Sequence, residues 1–303
     1  MVEVFHEAGL PPGVVNLVNG RGAVTGNALV SHPDIDMIGF TGGTTTGRMI
    51  ASTAGRNLKP IALELGGKSA NIITESADLD RALDGALAGI FGNNGQQCLA
   101  GSRILVQRSV ADRFIEQFVE RARRIRLGDP MQASTEIGPL AFRQHMDRVL
   151  SYVEVAKADG AKLLTGGRRA AEPSRGWFVE PTAVLAPDND ARVCQEEIFG
   201  PFATFLTFDT LDEAIAISNA SKFGLVNYVW SEDLKTVMRC SHDIRAGTVW
   251  VNTPMMRELR APFGGFKESG IGRDGPTSSA DFCTELKATI IPIDGAPMHR
   301  YGA

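Results

Sequence analysis

The sequence predicts an α/β protein built from parallel βαβ units. Three observations carry this. Short apolar runs alternate with helix-period stretches along most of the 303 residues. Two of the early runs end in glycine-rich turns that open toward a helix. Apolar residues make up 43 % of the chain, enough for a large core spread over roughly two domains.

The elements follow in order. "GVVNLVNG" (Gly13–Gly20) reads as a short buried strand and "DMIGF" (Asp36–Phe40) as a second. The turn "TGGTTTG" then leads into a helix from Arg48 to about Arg56, and "PIALELGG" (Pro60–Gly67) gives a third strand. In "DLDRALDGALAGIF", Leu79, Ala82, Leu83, Ala86, Leu87, Ile90 and Phe91 recur at i, i+3, i+4 and i+7, which predicts an amphipathic helix. "RILVQ" (Arg103–Gln107) is a strand, and "ADRFIEQFVERARRIR" (Ala111–Arg126) a helix whose arginines suit the negative end of the helix dipole. A helix over about Met146–Ala158, a strand in "FVEPTAVLA", a helix in "DEAIAISNAS" and strands in "GLVNYVW" and "GTVWVN" follow. The last apolar stretch, "ELKATIIPI" (Glu285–Ile293), alternates like an edge or partner strand. A boundary is placed near Gly66–Gly67, giving segments 1–66, 67–280 and a tail, 281–303.

Bulk properties exclude several classes. The net charge is −4 with the two signs mixed, which gives no footprint for nucleic acid. No apolar run is long enough to suggest a membrane span. The start, "MVEVFHEAGLPPG", has no basic stretch followed by an apolar one, so no secretory leader is expected and a cytoplasmic location is. Cys98, Cys194, Cys240 and Cys283 lie far apart with no CxxC pair, which fits a reducing compartment. Five scattered histidines argue against a zinc site.

Two glycine-rich turns are candidates for phosphate. "NGRGAVTG" is a near miss to the dinucleotide fingerprint, with one residue too many before its third glycine, and an ordinary tight turn explains it equally well. "FTGGTTTGR" is the stronger: Gly42 and Gly43 permit close backbone approach, and the helix that follows offers free N–H groups to an anion. Its spacing matches part of a P-loop, but Arg48 and Met49 stand where Lys and Ser or Thr belong, so nucleotide hydrolysis is rejected.

Cys98 sits in "FGNNGQQCLAGSR", a loop of small and amide residues between a helix and a strand. It is either a small buried apolar residue or a nucleophile. A nucleophilic thiol needs a base. Glu64 ends the strand "IALELGG", and in α/β sheets sites form beyond strand ends.

"LELGGKSANII" and "GNNGQQCLAGSR", with "PPGVVNLVNG", "FTGGTTTG", "EEIFGPF", "GTVWVN" and "PFGGFKESGIGR", together resemble the NAD(P)-dependent aldehyde dehydrogenase superfamily. The seven blocks occur in the family's order and cover nearly the whole chain. The resemblance implies a partial Rossmann-type cofactor domain, an α/β catalytic domain and a C-terminal oligomerisation strand. It implies Cys98 as nucleophile, forming a thiohemiacetal and then a thioester, and Glu64 as the base that activates water. The Cys98 N–H becomes an oxyanion donor. Gly42 and Gly43 lie against the cofactor pyrophosphate, with Leu65 and Gly66 nearby. Glu197 bonds the nicotinamide ribose and Phe199 flanks the nicotinamide. At position 43 the family often has Ser. Asn252 orients loops, Glu196 is a surface acid, and Cys194, Cys240 and Cys283 are packing residues. NAD is the expected cofactor, with NADP possible, and a homodimer or homotetramer the expected assembly of the full-length form.

Family members also carry a longer front part, with an oxyanion-hole Asn and the residues that hold the adenosine ribose. No "WNFP"-like or "KPSE"-like stretch occurs here, so an N-terminally truncated chain is expected, less active or inactive on its own. Ahead of PFGG, "RELRAPFGG" places Arg257 and Arg260 three apart, like the 2-hydroxymuconic semialdehyde dehydrogenases and their carboxymethyl relatives. Guanidinium groups pair bidentately with carboxylates, so a carboxylate-bearing semialdehyde is the expected substrate, with Arg260 the favoured contact. A plain surface pair with Glu258, a betaine-aldehyde-like substrate, an NAD-independent Cys98 esterase and an inactive packing fragment stay open beside it.

Overall fold

The computed structural model describes residues 1–293, 295 and 298–302. Its elements run α1 (Val2–Glu7), α2 (Asn27–Ser31), β1 (Ile38–Thr41), α3 (Thr44–Arg56), β2 (Ile61–Glu64), β3 (Ala70–Ile73), α4 (Leu79–Phe91), β4 (Arg103–Gln107) and α5 (Arg108–Arg123). Then come α6 (Arg143–Ala158), β5 (Lys162–Thr165), β6 (Thr182–Leu185), α7 (Arg192–Gln195), β7 (Phe202–Phe208), α8 (Leu211–Asn219), β8 (Phe223–Gly224), β9 (Val226–Trp230) and α9 (Leu234–Asp243). The chain closes with β10 (Thr248–Val251), β11 (Phe266–Lys267), β12 (Gly270–Ile271) and α10 (Pro276–Cys283).

The main sheet has seven strands in the order β10-β9-β3-β4-β7-β6-β5. All its neighbours are parallel except β5, which runs against β6. Helices cover both faces. On one, α4 and α5 bury Leu83, Ile90, Phe114 and Phe118 against Ile104, Val106 and Phe205. On the other, α6 to α9 bury Met146, Val149, Val153, Ile215 and Cys240 against Ile72, Leu105 and Val229. Each such side chain contributes roughly 1.5–3 kcal/mol by leaving water. Strand β3 is buried at all four positions, so it carries no alternating pattern and the periodicity reading passes it over. The α4 start is set by Asp78, whose side chain accepts the Arg81 N–H.

A second sheet of three strands, β1-β2-β12, lies beside the first. β1 and β2 are parallel, and β12 returns from the far end of the chain to pair antiparallel with β2. Ile38, Ile50, Ala54, Leu63 and Leu65 form its small core with α3.

Three expectations need correction. Residues 13–20 form no strand; Val14, Leu17 and Val18 are exposed, and the first glycine-rich stretch continues as one π-helical turn, Gly22–Gly26, into α2. The tail also forms no strand among its described residues. Leu286, Ile290, Ile291 and Ile293 are all exposed, and residues 294, 296, 297 and 303 of the expected tail segment lie outside the described residues. In both places alternation supplies a face, but no neighbouring strand is present to complete a ladder. Cys283 is exposed at the end of α10 rather than packed, whereas Cys194 and Cys240 are fully buried.

Candidate active site

The two sheets meet around a cavity of about 540 Å³. Its lining includes Glu64, Cys98, Gly42, Gly43, Leu65, Gly66, Glu197 and Phe199, eight residues singled out from the sequence and drawn from four separate segments. The chain ends of β1 and β2 are tied at this point. Thr41 pairs with Glu64 in the parallel ladder, and the Gly42 N–H donates to the Glu64 carbonyl at 3.0 Å. The glycine turn and the acid are therefore fixed relative to one another.

The two glycines after Leu65 make room for the rest of the site. A Cβ on Gly66 would stand 2.4 Å from Glu197 Oε2, and one on Gly67 would stand 2.2 Å from the Cys98 carbonyl oxygen. The Gly67 N–H donates to Glu197 Oε1 at 3.0 Å. Fully buried Ser269 staples this strand end to the returning chain: its Oγ donates to the Gly66 carbonyl at 2.7 Å and accepts the Gly224 N–H at 2.9 Å.

Cys98 follows α4 through a single 3₁₀ turn, Gly92–Gly95, in which Asn93 and Asn94 take φ of 49° and 59°. Asn tolerates this left-handed region better than most residues. Asn94 also locks the turn to a neighbouring loop, accepting from the Gly138 N–H and donating to the Pro139 carbonyl, both at 2.9 Å. Burial pushes the Cys98 thiol above its ordinary pKa, and the carboxylates Glu197 and Glu64 push it further.

Burial also raises Glu64, to about 7, with Asp274 adding to the effect and Arg273 and Arg257 opposing it. Glu64 Oε2 is buried with no hydrogen-bond partner among the described residues. Burial raises Glu197 too, opposed by the Gly67 N–H and by the charges of Lys68 and Arg148. Lys68 is itself buried, its Nζ has no partner among the described residues, and its pKa falls to about 8.

Phe199 carries φ of 63°, a strained conformation for a bulky residue. Two residues of α6 that the sequence reading passed over hold this segment. The His145 Nε2 hydrogen-bonds the Phe199 carbonyl at 2.6 Å, and Arg148 donates to the Glu197 carbonyl at 2.8 Å. Both line the cavity. Their only sequence signal is a polar interruption of a helical face, which is not distinctive. Glu196 is engaged rather than free, accepting from the Tyr152 hydroxyl and from Arg192. Asn252 joins the ends of β9 and β10, its side chain pairing with both the N–H and the carbonyl of Ser231.

The two arginines before Pro262 part company. Arg260 is exposed and makes a bidentate pair with Glu258 at 2.8 Å. Arg257 lies 4.4 Å from the Phe263 ring centre, and its charge reaches Glu64. Neither lines the cavity itself.

A family model described as the aldehyde dehydrogenase family matches residues 1–289. The chain belongs to the aldehyde dehydrogenase family. It is 44 % identical to a betaine aldehyde dehydrogenase of Bacillus subtilis (strain 168) over 94 % of this chain and 59 % of that one. It is 46 % identical to a 5-carboxymethyl-2-hydroxymuconate semialdehyde dehydrogenase of Escherichia coli, over 90 % and 58 % of the two chains. The solved NAD+ complex of an aldehyde dehydrogenase from Bacillus cereus superposes with a TM-score of 0.93 at 43 % identity, covering 96 % of this chain and 59 % of that chain. The chain thus spans somewhat under three-fifths of the length of these relatives. No helix of the described residues is long and apolar enough to cross a membrane, and no group of metal-ligating side chains occurs among them.

Proposed function

We propose that the protein containing this chain oxidises an aldehyde to a carboxylic acid with NAD or NADP, Cys98 acting as nucleophile. The observation that carries this is the convergence of Cys98, Glu64, Glu197, Phe199 and the Gly42–Gly43 turn on one cavity. The cavity suits a nicotinamide cofactor. The Glu197 carboxylate can accept from sugar hydroxyls, open space faces Gly43, and α3 begins there with a helix N-terminus favourable to phosphate. When bound, the cofactor accepts the hydride.

The residues divide the remaining work. Cys98 gives its thiol proton to solvent, and Sγ then adds to the aldehyde carbon, giving a thiohemiacetal oxyanion that faces the Cys98 N–H. Loss of hydride leaves a thioester. Glu64, with a pKa of about 7, takes a proton from water near neutral pH. That water attacks the acyl carbon, and the Cys98 thiolate departs as the acid forms. Phe199, held by His145, provides an apolar wall to the site.

The substrate proposed is a semialdehyde bearing a carboxylate. Arg257 supports it: its guanidinium, set on Phe263 and in no ion pair among the described residues, attracts an anion and repels a quaternary ammonium aldehyde. The pairing of Arg260 with Glu258 moves the preferred contact from Arg260 to Arg257. Residues 1–66 are read as part of the cofactor domain and 67–280 as the catalytic domain. The exposed apolar side chains after Cys283 support assembly into a homodimer or homotetramer through the tail. The test is NADH formation with a carboxylated, a neutral and a cationic aldehyde, in the full-length form and in this chain. Equal efficiency on all three would remove the substrate assignment. A Cys98→Ala variant with undiminished turnover would remove the mechanism.

A further inference from the structure

Tyr228 lies on β9, fully buried, at a strand position where its side chain reaches beneath the loop that follows Cys98. Its hydroxyl donates to the Leu99 carbonyl at 2.6 Å. Its ring packs against Gly101, where a Cβ would stand 3.2 Å from the ring edge, and lies tilted on Trp250 with ring centres 5.2 Å apart. Cys98, Leu99, Met255 and Phe263 close the cluster around it.

The loop is gripped at few points. The Ala100 N–H donates to the Gln97 carbonyl at 3.2 Å, and the Gly101 N–H donates to the Gly89 carbonyl at 3.0 Å. Neither of these fixes the Leu99 carbonyl. The Tyr228 hydroxyl does, through a part-buried hydrogen bond within a mostly apolar cluster, where an unpaired partner is costly. The Cys98 and Leu99 N–H groups both favour the charged form of the Cys98 thiol, so the orientation of Leu99 bears directly on the sulfur.

We propose that Tyr228 is a positioning residue for Cys98: by holding the carbonyl of the next residue, Leu99, it fixes the loop on which Sγ stands. This rests on the reading of Cys98 as nucleophile. The charged and titratable groups that face the same sulfur or line its cavity are Glu64 from β2, Glu197 from the segment after α7, and His145 and Arg148 from α6. They are unchanged by substitution at Tyr228, so a pH profile isolates its effect.

The experiment is alkylation of the purified chain by iodoacetamide across a pH series, with Cys98 read by peptide mass spectrometry. In Tyr228→Phe, Cys98 labelling at neutral pH is expected to slow about three- to tenfold, the scale of one lost hydrogen bond. The midpoint of its pH profile moves upward, while labelling of exposed Cys283 stays the same. Tyr228→Met, which fills the site without a hydroxyl, gives the same direction should the Phe variant fold poorly. Unchanged rate and midpoint in a folded variant, with only the melting temperature altered, would make Tyr228 a packing residue and overturn the proposal. Wild-type Cys98 that stays unlabelled at every pH while Cys283 reacts would instead remove the nucleophile reading, and this inference with it.

Discussion

Cys98 and the Gly42–Gly43 turn face the same cavity from very different foundations. Cys98 stands on the seven-stranded sheet, where β3, β4 and β9 are almost wholly buried and helices cover both faces. The glycine turn hangs from a three-stranded sheet with a small core. The Cys98 side is rigid by construction, while the Gly42–Gly43 side has few buried contacts. Under the proposed function, the bond-forming part of this chain is built more completely than the cofactor-binding part.

The comparison can be tested most severely at the nucleophile side. Cys98→Ala is expected to lower NADH formation by more than about 10⁴-fold, and Glu64→Gln by about 10²–10⁴-fold, since it removes only the base. In Glu64→Gln a thioester adduct on Cys98 should accumulate and be visible by intact-mass measurement. An adduct-free Glu64→Gln protein with equally low turnover would place Glu64 before, not after, acyl transfer.

Next in size are the two adjacent glycines, which separate the sides one residue apart. Gly67→Ala drives a methyl into the Cys98 carbonyl and should cost turnover about 10²-fold, the scale of a small misplacement at a reacting group. Gly66→Ala meets the Glu197 carboxylate and should show mainly as weaker cofactor binding, with Cys98 alkylation changed far less than by Gly67→Ala. Identical effects of the two on both readouts would erase the distinction.

A smaller effect is expected at the substrate arginines. Arg257→Ala should lower kcat/KM for a carboxylated aldehyde about 10–100-fold, the worth of a charge-assisted hydrogen bond. Arg260→Ala, which breaks only an exposed pair, should cost less than about fivefold. A larger loss at Arg260 would restore it as the contact.

The smallest effect is on stability. Glu64 holds its proton more tightly folded than unfolded, with a pKa of about 7 against its ordinary 4.5. Its contribution is therefore complete below about pH 4.5 and lost as the pH rises through 7. The melting temperature of the wild type relative to Glu64→Gln should fall across that window. A pH-independent difference would mean that Glu64 titrates normally.

The sequence made the two ends of the argument legible and left the middle obscure. Cys98, Glu64 and Glu197 stood out because each sits in a distinctive block of small residues, and their glycines have a visible physical task at Gly66 and Gly67. His145, Arg148 and Tyr228 did not, because their part in the site consists of single hydrogen bonds to backbone carbonyls 54, 49 and 129 residues away. Likewise α4 was readable from its 3.6-residue period, while β3, interrupted by polar Asn71, shows neither a period nor the unbroken apolar run that marks β4.

By itself the sequence determined the α/β class, the family, the long helices and the identity of the candidate nucleophile and base. These follow from local periodicity and from short blocks whose chemistry is contained in neighbouring residues. Tertiary structure alone decided that residues 13–20 and 285–293 form no strand, since a strand exists only where a second one meets its hydrogen bonds. It also decided that β12 returns to complete the sheet beneath Glu64, and that His145 and Arg148 hold the segment from Glu197 to Phe199. Those outcomes depend on which groups meet across long stretches of chain, and no local pattern encodes them.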